Sequence, residues 1–122
     1  MNIETALKEA MTVDGAIGIA LVDYESGMSL GTLGGGPSLD LELAAAGNTE
    51  VVRSKMRTLA SLAMDDTIED ILITLGKQYH LIRPLGSSSS GTLFLYLALD
   101  RSRSNLALAR HSLKRIENGL EV

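Results

Sequence analysis

Five residues, Gly27-Met28-Ser29-Leu30-Gly31, match the G-x-S-x-G pattern. In hydrolases that pattern holds a nucleophilic serine on a strained turn between a strand and a helix. Here the residues on both sides of Ser29 read as one strand of a hairpin, and no helix follows directly. The pattern fails on context, and no catalytic residue is assigned. A second pattern overlaps it. Gly31-Thr32-Leu33-Gly34-Gly35-Gly36 carries glycines at the spacing of a phosphate-binding loop, after a strand and before a helix. The next residues are Pro37-Ser38, so the lysine that holds the outer phosphates is missing. Asp40 and Glu42 would compete with any anion at that helix start. The run reads as a connector, and no nucleotide cofactor is expected.

The remaining chemical groups are sparse. His80 lies in a strand between Tyr79 and Leu81. His111 lies in the last helix, next to Arg110 and four residues before Arg115. Neither has an acid–base partner visible in sequence. With two histidines and no cysteine, nitrogen and sulfur donors for a metal are too few. The pairs Asp65-Asp66 and Glu69-Asp70 flank a helix-to-strand connection and lack the ordered oxygen donors of a cation loop. They read as loop and cap residues. Arg101-Ser102-Arg103-Ser104 is either a polar connection capped by Ser102 or Ser104, or a small cationic patch beside Arg83.

These groups must be carried by one domain. The chain has 122 residues, 45% of them apolar, with one Phe, three Tyr and no Trp. That length supports a single aliphatic core spanning 1–122. Scarce aromatic residues argue against modules that stack bases. The net charge of −4 opposes binding to nucleic acid. Residues 1–50 hold one basic residue, Lys8, against eight acidic ones, a balance of −7; residues 51–122 hold ten against seven, +3. No basic n-region with an apolar stretch opens the chain. The longest apolar runs, Ala16–Val22 and Leu93–Leu99, are far shorter than the ~20 residues a membrane helix needs. A cytoplasmic protein without membrane insertion is expected.

Periodicity supplies the elements. Residues 2–11 read as a helix capped by Asn2, with Ile3, Leu7 and Ala10 at helical spacing. Ala16–Val22 is apolar on both faces, hence a central strand. Asp23-Tyr24-Glu25-Ser26-Gly27 turns the chain into a return strand, Met28–Leu33. Asp40–Ala63 has no proline and reads as the longest helix, its stripe made of Ala45, Asn48, Val52, Met56, Leu59 and Ala63. Beside it, Ala44, Gly47 and Val51 leave room for a second helix. Ile68–Leu75 reads as a strand, Gly76-Lys77 as a two-residue hairpin turn, and Gln78–Arg83 as its return before Pro84. Gly86–Gly91 is a loop by composition. Leu93–Leu99 is a second central strand. A last helix runs from about Ser104 to Gly119, with Leu106, Ala109, Leu113 and Ile116 inward. The order αββαβββα, with two strands buried on both faces, predicts an antiparallel α/β/α sandwich of three layers.

That order, with Ala20-Leu21-Val22-Asp23-Tyr24-Glu25-Ser26-Gly27-Met28, Glu69-Asp70-Ile71-Leu72-Ile73-Thr74, Tyr79-His80-Leu81-Ile82-Arg83-Pro84-Leu85, Leu95–Asp100 and Asn105–Arg110, resembles the roadblock family. The family comprises dynein light chains and bacterial GTPase regulators. The resemblance implies a profilin-like, five-stranded antiparallel sheet and a homodimer. In the family the third strand is an edge that pairs with its twin, and the long second helices lie side by side. Carried over, the dimer residues are Ala44, Gly47, Val51, Ile68, Glu69, Asp70, Ile71, Leu72, Ile73 and Thr74. The family points to a non-catalytic regulator of a small Ras-like GTPase, with Glu50, Arg53 and Arg57 as outward polar contacts. A structural scaffold and a ligand-sensing module are the alternatives.

Overall fold

The computed structural model describes residues 1–86 and 91–122, so the Ser87–Ser90 part of the expected loop lies outside the described residues. Five strands, β1 (Ala16–Asp23), β2 (Met28–Gly34), β3 (Ile71–Thr74), β4 (Gln78–Pro84) and β5 (Leu93–Asp100), form one antiparallel sheet in the order β2-β1-β5-β4-β3. The two doubly apolar runs, β1 and β5, occupy the middle of the sheet, as their composition requires.

Alternation in these strands feeds two cores. Ile19, Leu21, Leu81, Leu95, Leu97 and Leu99 point to one face. There they pack against α1 (Ile3–Met11) through Ala6, Leu7 and Ala10, and against α3 (Leu106–Gly119) through Ala109, Leu113 and Ile116. Ala20, Val22, Ile82, Phe94, Tyr96 and Ala98 point to the other, where α2 (Leu41–Ser61) buries Leu41, Ala45 and Val52. Three layers result. No helix among the described residues is long and apolar enough to cross a membrane.

Caps fix the helix starts: Asn2 Oδ1 accepts from Thr5 N–H at 2.9 Å, and Asp40 accepts from the N–H groups of Glu42 and Leu43 at 3.1 Å. Asn105, not Ser102 or Ser104, caps α3, with Oδ1 3.1 Å from Leu108 N. Ser102 instead lies in a short 3₁₀ turn, Arg101–Arg103, held by Asp100. The long helix ends at Ser61, not Ala63, and Ala63 takes a left-handed φ of 54°.

The largest departure from expectation is β3. It begins at Ile71, so Ile68, Glu69 and Asp70 stand outside the strand that Ile68–Leu75 predicted. Arg110 of α3 takes Asp70 in a two-pronged ion pair, at 3.0 and 3.2 Å, and draws that residue out of line with the ladder. The hairpin itself closes as expected, Leu75 N–H donating to Gln78 O at 2.9 Å across Gly76-Lys77.

Candidate docking surface

The catalytic and phosphate-loop patterns have structural explanations. Ser29 lies within β2, not on a strand-to-helix turn, and its hydroxyl donates to Glu42, 2.8 and 3.0 Å from the two carboxylate oxygens. The glycines answer to packing. A Cβ at Gly31 would come 2.9 Å from Leu7, at Gly34 2.6 Å from the Ile17 carbonyl, and at Gly35 2.8 Å from the Leu39 carbonyl. Close backbone approach at Gly34 and Gly35, and side-chain packing at Gly31, account for glycine there. The described residues contain no cluster of three or more His, Cys, Asp or Glu able to hold a metal.

His80 belongs to a polar relay that crosses the otherwise aliphatic α2 side of the sheet. Its Nε2 donates to Gln78 Oε1 at 2.8 Å, and its Nδ1 accepts from Tyr96 Oη at 3.2 Å. Tyr96 in turn hydrogen-bonds Asn48 of α2. The two rings meet edge to face, 5.3 Å between centroids. This arrangement uses neutral imidazole, and burial pushes the His80 pKa below its ordinary 6.5. Burial also pushes the Tyr96 phenol up, against a smaller opposing effect of the Asn48 bond. The sign follows from the His80 shift. A folded pKa below the unfolded one contributes stability that is complete above 6.5 and is lost as pH falls through the folded value. The midpoint of thermal unfolding is therefore expected to drop as pH is lowered below 6.5, and His80→Asn to flatten that segment of the profile. His111 is exposed on α3.

Of the predicted self-association residues, Val51, Ile68, Glu69, Asp70 and Ile71 line one groove, and Ala44, Gly47, Leu72, Ile73 and Thr74 lie outside it. On α2, the buried line is Ala45, Thr49 and Val52, with Thr49 Oγ1 turned onto Ala45 O at 2.8 Å. Ala44, Gly47 and Val51 stand to its side. A Cβ at Gly47 would meet nothing within 4 Å, and Val51 is 36% exposed. Gly47 and Val51 thus face outward, while Ala44 packs partly against the α2-side core. Val51, Lys55 and Leu59 form one wall of a groove of about 460 Å³, and residues 66–71 form the other. On the latter wall Ile68 and Ile71 are apolar, with Asp66, Glu69 and Asp70 along the rim opposite Lys55. The Asp65-Asp66 and Glu69-Asp70 pairs are therefore connection residues, and Asp66 Oδ1 accepts from Thr67 N–H at 2.8 Å.

Past the groove lies β3, the outermost strand, which pairs regularly with β4 from Ile71↔Ile82 to Thr74↔Tyr79. Ile71 and Ile73 add to the α2-side core, and Leu72 to the opposite one. The outer polar residues divide. Glu50 and Arg57 are exposed. Arg53 is tied down, bonding the Glu25 carbonyl in the β1–β2 turn and Glu50 at 3.3 Å. Arg101 is likewise engaged, donating to Leu75 O at 2.7 Å and lying over the Tyr79 ring at 5.1 Å, while Arg83 is buried against Glu117. No joint Arg83/Arg101/Arg103 patch forms.

A five-stranded antiparallel sheet in this order, two helices on one face and one long helix on the other, defines the roadblock-type domain. The chain has that fold. Its sequence matches no family model and no curated protein. Among solved structures it is similar to a roadblock/LC7 domain from Streptomyces avermitilis, with a TM-score of 0.82 and 9% identity over 98% of this chain and 94% of that one. It is also similar to Myxococcus xanthus MglB, with a TM-score of 0.72 and 20% identity over 93% and 77%. For Myxococcus xanthus MglC the figures are 0.62 and 22% over 98% and 96%.

Proposed function

We propose that this chain is a non-catalytic, homodimeric adaptor that binds a small Ras-like GTPase and modulates its nucleotide state. The observation that carries the reading is the open edge of β3 beside an unfilled, apolar-walled groove along α2. An apolar edge strand exposes unpaired N–H and C=O groups, and pairing with a twin satisfies them. The dimer forms through Ile71, Leu72, Ile73 and Thr74, flanked by Ile68, Glu69 and Asp70 at the groove. Ala44, Gly47 and Val51 admit the second copy's α2. The paired helices then form a platform on which Glu50 and Arg57 face the GTPase, in the cytoplasm. One solved neighbour is described as MglB with a tetrameric arrangement, a precedent for self-association on this fold.

Two measurements test this. Thr74→Lys, at the exposed end of β3, would add a charge to the edge of each copy, and it is expected to convert the dimer to a folded monomer in multi-angle light scattering. A small Ras-like GTPase from the same organism should bind the wild-type dimer and exchange or hydrolyse nucleotide at a changed rate. Binding with unchanged rates would leave a scaffold, and absence of binding would overturn the GTPase reading.

A further inference from the structure

The sheet has a second free edge, and its chemistry is unusual. From Ser26 to Leu39 there is no charged residue, in a chain that is 21% charged. This stretch contains all of β2, which pairs only with β1 among the described residues. It is also apolar on the outside: Met28 is 69% exposed, Leu30 42% and Leu33 38%. The Ser29–Glu42 hydrogen bonds bring the first turn of α2 alongside, where Leu43 is 71% exposed. Edge strands are ordinarily guarded by lysines, prolines or inward charges. β2 itself carries no such residue; it has a bulge, where Leu30 is skipped between the pairs Val22↔Ser29 and Leu21↔Gly31, and Glu42 reaches it only at Ser29. A bulge leaves the extra residue unpaired and twists the strand locally. It does not interrupt the regular run from Gly31 to Gly34.

We propose that this edge is a second self-association surface, taking β2 of another copy of the chain in antiparallel pairing. The occupant follows from the charge pattern. Two-fold pairing lays the whole strand against itself, and a charge near the dyad would meet its own copy and repel it. A charge-free strand meets no such penalty. Leu30, Leu33 and Leu43 add apolar contact around the backbone ladder. The proposal does not depend on β3. If both edges pair, the two dyads alternate and sheets join end to end without closing.

Sedimentation velocity over a dilution series of the full chain tests it, with Thr32→Lys as the probe. Thr32 is exposed, so the substitution leaves the core intact. The average mass of Thr32→Lys is expected to fall below that of wild type at the high-concentration end. Leu33→Lys, on the opposite face of the same strand, should behave alike and guards against a folding defect in either variant. The same mass distribution for wild type and both folded variants would overturn the proposal. Thr74→Lys, run in parallel, reports on β3 alone, so failure of one edge is distinguishable from failure of the other.

Discussion

Glu117→Ala is expected to lower the free energy of unfolding by about 3–5 kcal/mol, the loss typical when one partner of a buried ion pair is removed. Glu117 projects from α3 and Arg83 from β4. Their side chains are 14% and 10% exposed, and Arg83 Nε donates to Oε1 at 2.7 Å. The other carboxylate oxygen accepts from Gly86 N–H at 2.8 Å. Removing Glu117 thus leaves a nearly buried guanidinium without its carboxylate and takes away the acceptor of the exposed Gly86 N–H. Against a total stability of roughly 5–15 kcal/mol, that is a large fraction. Urea titration should show a lower midpoint with an unchanged slope. Arg83→Met in the same background should recover much of the loss, because no buried charge is then left alone. A single variant no weaker than Glu4→Ala, which removes only the exposed Lys8 pair, would contradict this account.

Gly34→Ala is expected to be nearly as severe, at roughly 2–5 kcal/mol, from left-handed strain plus overpacking. At φ 79° the new Cβ would lie 2.6 Å from the Ile17 carbonyl and 2.7 Å from Met11 Cε. The carbonyl is backbone in the neighbouring central strand and cannot step aside. Gly36→Ala is the control: its φ is 128°, but nothing lies within 4 Å. It should incur only backbone strain, about 1–3 kcal/mol. Equal melting temperatures for the two variants would show that the contact is not what selects glycine. Loss at Gly34 and Gly35 with stability largely retained at Gly36 would confirm that the first two serve packing, although they stand at the spacing of a nucleotide loop.

Much of the architecture was legible because the deciding forces were local. Ala16–Val22 and Leu93–Leu99 are apolar on both faces, and only a central position can bury both. Asn2 announces a helix start by its chemistry alone. What could not be read was set by partners distant in sequence. Ile68–Leu75 has the pattern of a strand throughout, yet an arginine 40 positions beyond Asp70 removes its first three residues. Arg83 and Glu117 are 34 apart and give no sequence signal of pairing. Arg53 looked like a free outward cation until the Glu25 carbonyl was placed beside it. The relay from Asn48 through Tyr96 to His80 draws on three separate elements, and no short motif could reveal it.

The alternation of β1 and β5 has a kinetic meaning. Each strand supplies side chains to both cores, as Ile19 with Ala20 and Leu97 with Ala98 illustrate. Neither core can therefore melt while the other survives. Backbone amides in these strands should exchange with deuterium only through global opening, while those of β2 and β3 exchange through local fraying. Their pairing also joins Ile19 to Leu97, which are far apart in sequence. That contact closes a long loop before it yields any packing, so this domain should fold slowly for its size. Until the last strand arrives, β1 has no partner on that side and its apolar surface is open to other nascent chains.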